Sequence, residues 1–279
     1  MFPPEIPPKI NYITKRIKVG NYNLAYWDEG NKNNEVICFI HGYTGDKLDW
    51  FFQIEEFKNR YRCIAHEHRC HGESDVKDET VTIKELSDDF YLFLNKMNIN
   101  KINLCGHSMG GFVSLQFALD HQDMLNKLIL VDTTAKLEFT EYAFDMIKKI
   151  GYYEFAKLTA KYTEFPLRKR PSELKDYYKK LSKWEMDRKK NIPDFVAINF
   201  MKSFKGQDVV TRLKEIKTKT LIVFGKQDLL IDARIHAKLL HSNIPNSILK
   251  LIEGSGHNPT REKIPEFNRI LGDFLINKF

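Results

Sequence analysis

Polar and apolar residues alternate through residues 13–19 and 22–28 (ITKRIKV and YNLAYWD), with Gly20-Asn21 between them. Period-two alternation on both sides of such a pair predicts a β-hairpin at the start of a sheet. The pattern then changes. Residues 35–40 (EVICFI) form an almost unbroken apolar run, as in a strand buried on both faces. Further strand candidates follow at 61–66 (YRCIAH), 102–105, 127–131 (KLILV), 220–224 (TLIVF) and 247–252. Helical spacing fills the intervals: Leu48, Trp50, Phe51, Ile54 and Phe57 in one, then Ile83, Leu86, Phe90, Phe93, Leu94 and Met97 in the next. Thr82 and Glu85 supply a capping box for the second of these. Later helices are expected near Ala233–His241 and over Ile264–Phe279. Strands alternating with helices predict an α/β fold: a mostly parallel, doubly wound sheet of about eight strands, covered on both faces. Ligands in such sheets sit at the carboxyl ends of the strands, so the loops after residues 40, 105, 224 and 252 should share one edge.

One segment breaks the rhythm. Residues 134–206 contain no clear buried strand and read as several amphipathic helices rich in Lys and Tyr, holding 14 of the 35 aromatic residues. They also hold the charge. The chain has a net charge of +7, and this segment carries 17 Lys and Arg against 10 Asp and Glu, so the remainder is balanced. A basic balance can mark nucleic-acid binding, but Arg168-Lys169-Arg170 and Arg188-Lys189-Lys190 lie on amphipathic helices, where charge runs are usually solvated faces. They lack the aromatic interleaving of a base-stacking platform. No nucleic-acid partner is expected. A basic segment is open to two readings: it favours anionic substrates electrostatically, or it reflects lysine-rich coding alone.

No apolar run approaches the roughly 20 residues that span a bilayer, so no stable membrane insertion is expected. The start, MFPPEIPPKINY, lacks a basic stretch followed by an apolar core and reads as an extended proline-rich arm, not a signal peptide. The four cysteines (Cys38, Cys63, Cys70 and Cys105) are too sparse for a disulfide scaffold, and three fall in expected strands as small apolar side chains. A cytoplasmic location is the default. The oligomeric state is not legible.

The chemistry centres on residues 101–117, KINLCGHSMGGFVSLQF. A strand runs into Gly106-His107-Ser108-Met109-Gly110 and a buried helix follows. A serine at such a turn takes a strained backbone, and side chains at 106 and 110 would collide with it. Its hydroxyl then stands clear of the sheet, while the Met109 amide, at a helix N-terminus, can stabilise an oxyanion. This is a G-x-S-x-G nucleophile elbow. A serine needs a base, and the base needs a carboxylate to orient it. His257, in Gly254-Ser255-Gly256-His257-Asn258-Pro259 after the last strand, is the expected base. Asp228, just past the strand at 220–224, is the expected acid; Asp132, after the strand at 127–131, is the alternative. Asp232 reads as a helix start. The chain order Ser108, Asp228, His257 suits the motif. The second oxyanion amide should come from the loop after Ile40, with Tyr43 as donor and His41 bracing the turn.

The stretches IHGYTG (40–45), EHRCHGES (67–74), GHSMGG (106–111), GKQD (225–228) and GSGHNP (254–259) together resemble the α/β-hydrolase superfamily, in its branch of small cap-bearing serine esterases and lactonases. The resemblance implies catalytic roles for Ser108, Asp228 and His257, oxyanion amides on Tyr43 and Met109, and no cofactor. It implies a hydrolase core over residues 1–133 and 207–279, with 134–206 a helical cap over a mostly apolar pocket lined by Phe or Tyr. Small-molecule esters are the expected substrates, with lactones or C–C bonds as alternatives on the same triad. Serine at 108 argues against epoxide hydrolases and haloalkane dehalogenases, which use an aspartate nucleophile. The loop usually written D-x-R-G-H-G-x-S departs here at Glu67 and Cys70; the cysteine either alters the turn or stands where φ is negative. His66, His68 and His71 also have H-x-H-x-x-H metal spacing, but the family loop already explains the stretch, so no metal is expected. A hydrolase-fold protein that binds a ligand without turnover is the rival from another class; its mark would be a broken triad.

Overall fold

The computed structural model describes residues 4–137, 141–163 and 170–279; Arg168 and Lys169 of the first basic run lie outside the described residues. Its eight strands are β1 (Lys15–Val19), β2 (Tyr22–Glu29), β3 (Val36–Ile40), β4 (Arg62–His66), β5 (Ile102–His107), β6 (Leu125–Val131), β7 (Thr220–Gly225) and β8 (Ser247–Ile252). They form one sheet in the order β1-β2-β4-β3-β5-β6-β7-β8. β1 and β2 pair antiparallel around Gly20, whose φ of 55° lies in the left-handed region, and β2 meets β4 antiparallel. From β4 onward every pairing is parallel.

Alternation along the central strands splits the core into two layers. Cys38, Ile40, Ile64, Leu104, Leu128, Leu130, Ile222 and Phe224 face one side, where they meet α2 (Ile83–Lys96), α3 (Met109–Asp120) and α8 (Ala233–Asn243). Ile37, Phe39, Cys63, Ala65, Cys105, Ile129, Leu221 and Val223 face the other, against α1 (Phe51–Phe57) and α9 (Ile264–Leu275). Both faces being apolar is what forces a doubly covered sheet. The Thr82–Glu85 capping box is present in both directions at the start of α2, and Asp232 caps α8 through the Arg234 amide. The expected helix at 48–57 is a 3₁₀ turn over Lys47–Trp50 followed by α1. The last helix ends at Leu275, four residues short of the sequence expectation.

Between β6 and β7 lie α4 (Tyr142–Ile150), α5 (Tyr152–Thr163), α6 (Lys175–Lys189) and α7 (Asp194–Lys202). Ile147, Tyr152, Ala156, Ala197 and Met201 form a small core of their own. No helix among the described residues is long and apolar enough to cross a membrane.

Candidate active site

Ser108 joins β5 to α3 with φ 52° and ψ −118°. A non-glycine residue held there costs on the order of 1–3 kcal/mol, offset by the packing around it. The neighbouring glycines show why the turn can close. A Cβ on Gly106 would stand 2.3 Å from the Gly110 carbonyl oxygen and from Ser114 Oγ; one on Gly110 would stand 2.3 Å from the Ile40 carbonyl oxygen. The Thr133 hydroxyl donates to the Ser108 carbonyl at 2.7 Å, and the Ser108 amide donates to Val131.

Three loop ends converge on that hydroxyl. Ser108 Oγ donates to His257 Nε2 at 2.9 Å, and His257 Nδ1 donates to Asp228 Oδ2 at 2.7 Å. The Asp228 side chain is fully buried, and its other oxygen accepts the amides of Leu230 and Ile231 at 2.8 and 3.0 Å. It therefore lies in line with the histidine and cannot swing away without abandoning two backbone donors. Asp132 makes no hydrogen bond to His257. Its Oδ1 accepts the Gly225 amide at 2.9 Å, and burial, reinforced by the neighbouring Asp228 charge, pushes its carboxyl well above the ordinary carboxylate range. The two carboxyls thus divide: Asp132 turns back to the Gly225 amide, and Asp228 reaches forward to His257. Among the described residues, Asp132, Asp228 and His257 are the one group whose donor atoms lie close enough together to hold a metal. His257 faces Ser108 from within that group.

The Tyr43 and Met109 amides have no hydrogen-bond acceptor among the described residues, and both residues line the same cavity as Ser108. His41 braces their loop as expected: its Nδ1 donates to the Gly42 carbonyl at 2.8 Å and its Nε2 accepts the His68 amide at 3.1 Å. His71 is similarly engaged, donating through Nδ1 to the Arg69 carbonyl and accepting the Thr44 amide at Nε2. Of the three H-x-H-x-x-H rings, His71 alone is hydrogen-bonded to backbone groups; the His66 and His68 ring nitrogens have no partner among the described residues, and the His68 ring packs edge to face on His41 at 4.7 Å.

The cavity measures about 420 Å³, in the range of small-molecule sites. Met109, Phe112, Phe155, Met201, Phe204 and Ile231 give it an apolar wall. A charged wall carries Asp49, Glu185, Arg188, Lys189 and Arg261. Of Arg188-Lys189-Lys190, expected to be a solvated face, Lys190 is exposed, but Arg188 and Lys189 turn to the cavity. Arg188 is largely buried, bonded through Nη2 to Asp46 at 2.6 Å and Asp49 at 2.8 Å.

A family model described as the alpha/beta hydrolase fold matches residues 35–263. The chain belongs to that family. It is 22% identical over 285 residues to "Epoxide hydrolase 3" of Xenopus tropicalis, covering 95% of this chain and 77% of the relative. The solved thermophilic esterase from Thermogutta terrifontis superposes with a TM-score of 0.84 at 22% identity, over 95% of this chain and 98% of that one. The enol-lactonase from Burkholderia xenovorans LB400 gives 0.86 at 19% identity, over 94% and 100%.

Within this hydrolase fold the two loop departures acquire a physical account. Cys70 has φ 64°, so the cysteine neither abolishes the turn nor occupies a negative-φ position; it keeps a left-handed backbone, with its thiol against the Lys77 carbonyl. Glu67 is paired with buried Lys47 at 2.9 Å and accepts the Glu73 amide at 2.7 Å. Gly72 is required beside it, because a Cβ there would meet Glu67 Oε1 at 2.2 Å. Sequence reasoning passed over His107. Its Nε2 donates to the His257 carbonyl at 2.7 Å, tying the elbow to the histidine loop, and burial keeps the ring neutral. Its place directly before Ser108 was the available signal.

Proposed function

We propose that the protein hydrolyses carboxylic esters through an acyl-enzyme on Ser108. The observation that carries this reading is the continuous chain Ser108 Oγ–His257–Asp228, with both bonds under 3 Å, at the floor of a small cavity. His257 takes the hydroxyl proton as Oγ attacks the ester carbonyl, and the unengaged amides of Tyr43 and Met109 receive the developing oxyanion. His257 then protonates the leaving alcohol. Water enters, His257 removes its proton, and the acyl group leaves Ser108 as a carboxylic acid. Asp228 holds the imidazole in the tautomer with Nδ1 protonated and stabilises its cationic form. No cofactor enters this sequence. Residues 134–206 act as a cap, with α4 to α7 covering the site, on a core of 1–133 and 207–279. The four cysteines, all unpaired and buried, suit a reducing, cytoplasmic setting.

The structural likeness to an enol-lactonase favours cyclic esters as a second substrate form, on which the same attack opens a ring. Among the sequence relatives are epoxide hydrolases. Serine at the elbow in place of their aspartate nucleophile directs this chain towards acyl transfer. The intact chain of side chains also argues against a ligand-binding protein without turnover. Short-chain 4-nitrophenyl esters test the reading, with Ser108→Ala expected to lower kcat by about 10⁴-fold or more. Hydrolysis that persists unchanged in that variant would refute it.

A further inference from the structure

The charged wall of the cavity is not uniform. Every nitrogen of Arg261 has an acceptor facing it: Nε donates to Glu185 at 2.6 Å, Nη2 to Asn258 at 2.6 Å, and Nη1 faces Asp49 at 3.2 Å. Arg188 is held differently. Its Nε and Nη2 bond Asp46 and Asp49, and its plane lies near Trp184, yet Nη1 makes no hydrogen bond among the described residues. The Arg188 side chain lines the cavity and stays 14% exposed. The next residue, Lys189, lines the same cavity and has no carboxylate within 4 Å among the described residues. The acids of this wall are already spent on arginine: Asp49 accepts from Arg188 and pairs with Arg261, and Glu185 accepts from Arg261. What the wall still offers an incoming group is donor capacity from two cations.

We infer that the last turn of α6 is an anion subsite, and that the preferred substrates are esters carrying a second, carboxylate group, which docks on Arg188 Nη1 and Lys189 while the ester lies over Ser108. The inference rests on the ester-hydrolase reading and adds the substrate class. A guanidinium whose far edge is fixed by two carboxylates is pre-oriented, so little side-chain freedom is lost when its near edge takes a ligand. Charge-assisted bonds of this kind discriminate strongly, since a neutral substrate leaves the donors without a strong acceptor. The apolar wall opposite then takes the remainder of the molecule. With Asp49 and Glu185 also present, a cationic substrate is the direct competitor.

The test uses matched pairs. On the acyl side, 4-nitrophenyl hemiesters of succinate, glutarate and adipate are compared with the corresponding neutral alkanoates. On the alcohol side, 4-acetoxybenzoate is compared with 4-acetoxybenzamide and with acetylcholine. At least one carboxylate-bearing ester should exceed its neutral partner by about tenfold in kcat/KM. That ratio should shrink with added salt. Lys189→Gln should lower the ratio several-fold, and this residue has no ion pair among the described residues whose loss would unfold the protein. Arg188→Lys should also lower it, because lysine keeps a cation for Asp46 and Asp49 but has no second edge. Neutral esters turned over as fast as anionic ones, a preference for the choline ester, or a ratio that survives both variants would each overturn the inference while leaving the esterase reading intact. Failure of every ester, together with no labelling of Ser108 by a fluorophosphonate, would overturn the ester-hydrolase reading and the subsite with it.

Discussion

Replacing His66 by Phe should flatten the acid limb of this protein's stability. His66 ends β4, packs edge to face on Phe90 and Phe93 at 5.4 and 5.3 Å, and has no hydrogen-bond partner on either ring nitrogen. Burial, with smaller contributions from His41 and His71, pushes it down to about 3. His71 is likewise pushed down to about 3 and His41 to about 4, mainly by burial. An unfolded histidine titrates near 6.5, so between that pH and about 3 the unfolded chain binds protons that the native chain refuses. Stability therefore falls as pH falls through this window. From pH 7.5 to 5.0 each such histidine withdraws about 2 kcal/mol, and the three together about 6 kcal/mol, a large share of the roughly 5–15 kcal/mol of a typical domain. At pH 7.5 His66→Phe has opposing consequences: relief of two orphaned nitrogens, about 1–3 kcal/mol, against overpacking of similar size. The difference between two pH values cancels both. Urea unfolding at pH 7.5 and 5.0 should show the variant retaining about 2 kcal/mol that the parent loses. Equal losses in the two proteins would mean that His66 takes up its proton in the native state, and the burial argument would be wrong.

Three further substitutions probe the site. Asp228→Asn should cost about 10⁴ in kcat, because an amide can present its NH₂ to His257 Nδ1 and favour the wrong tautomer, whereas Asp132→Asn should stay within about tenfold, since an amide oxygen can still accept the Gly225 amide; steady-state kinetics on one ester separate them, and equal losses would contradict the division of roles. Gly110→Ala forces a Cβ to 2.3 Å from the Ile40 carbonyl oxygen and 2.6 Å from that of His41. Since these are backbone atoms of the loop bearing Tyr43, activity should fall more steeply than a loss of about 2–4 kcal/mol in stability alone would explain, as measured by kcat alongside thermal unfolding.

The parts of the site that were legible in the sequence are those written in backbone geometry. Gly106 and Gly110 are dictated by carbonyl oxygens that leave no room for a side chain, and the apolar runs ending at Ile40, Cys105 and Phe224 place the following loops on one edge. Asp228 could be separated from Asp132 only in three dimensions. Each follows a buried parallel strand, and what divides them is that Asp228 reaches His257 while Asp132 turns back to the Gly225 amide. The charged wall was illegible for a different reason. In one dimension Arg188 and Lys189 belong to a lysine-rich amphipathic helix, and nothing local distinguishes a solvated cation from one facing Asp46 and Asp49, which lie over 130 residues earlier.

That long-range pairing also explains how an inserted helix can be tied to a catalytic floor it does not build. Arg188, near the end of α6, holds Asp46 and Asp49 on the loop that follows β3 and bears Tyr43. From the same helix, Tyr177 and Tyr178 donate to the carbonyls of Arg261 and Glu262, and Glu185 receives Arg261. Just upstream, Arg170 donates to the Gly254 carbonyl at 2.6 Å and pairs with Glu262 at 3.0 Å, while Glu262 accepts the Gly256 amide next to His257. Buried ion pairs of this sort add little net stability relative to well-packed apolar groups, but removing one partner is costly, about 3–5 kcal/mol, because the other is left unpaired. Their consequence is geometric. A shift of α6 would have to break contacts to the Tyr43 loop and to the His257 loop together, so the helix that presents Arg188 and Lys189 to the substrate is fixed in register with the two loops that flank Ser108.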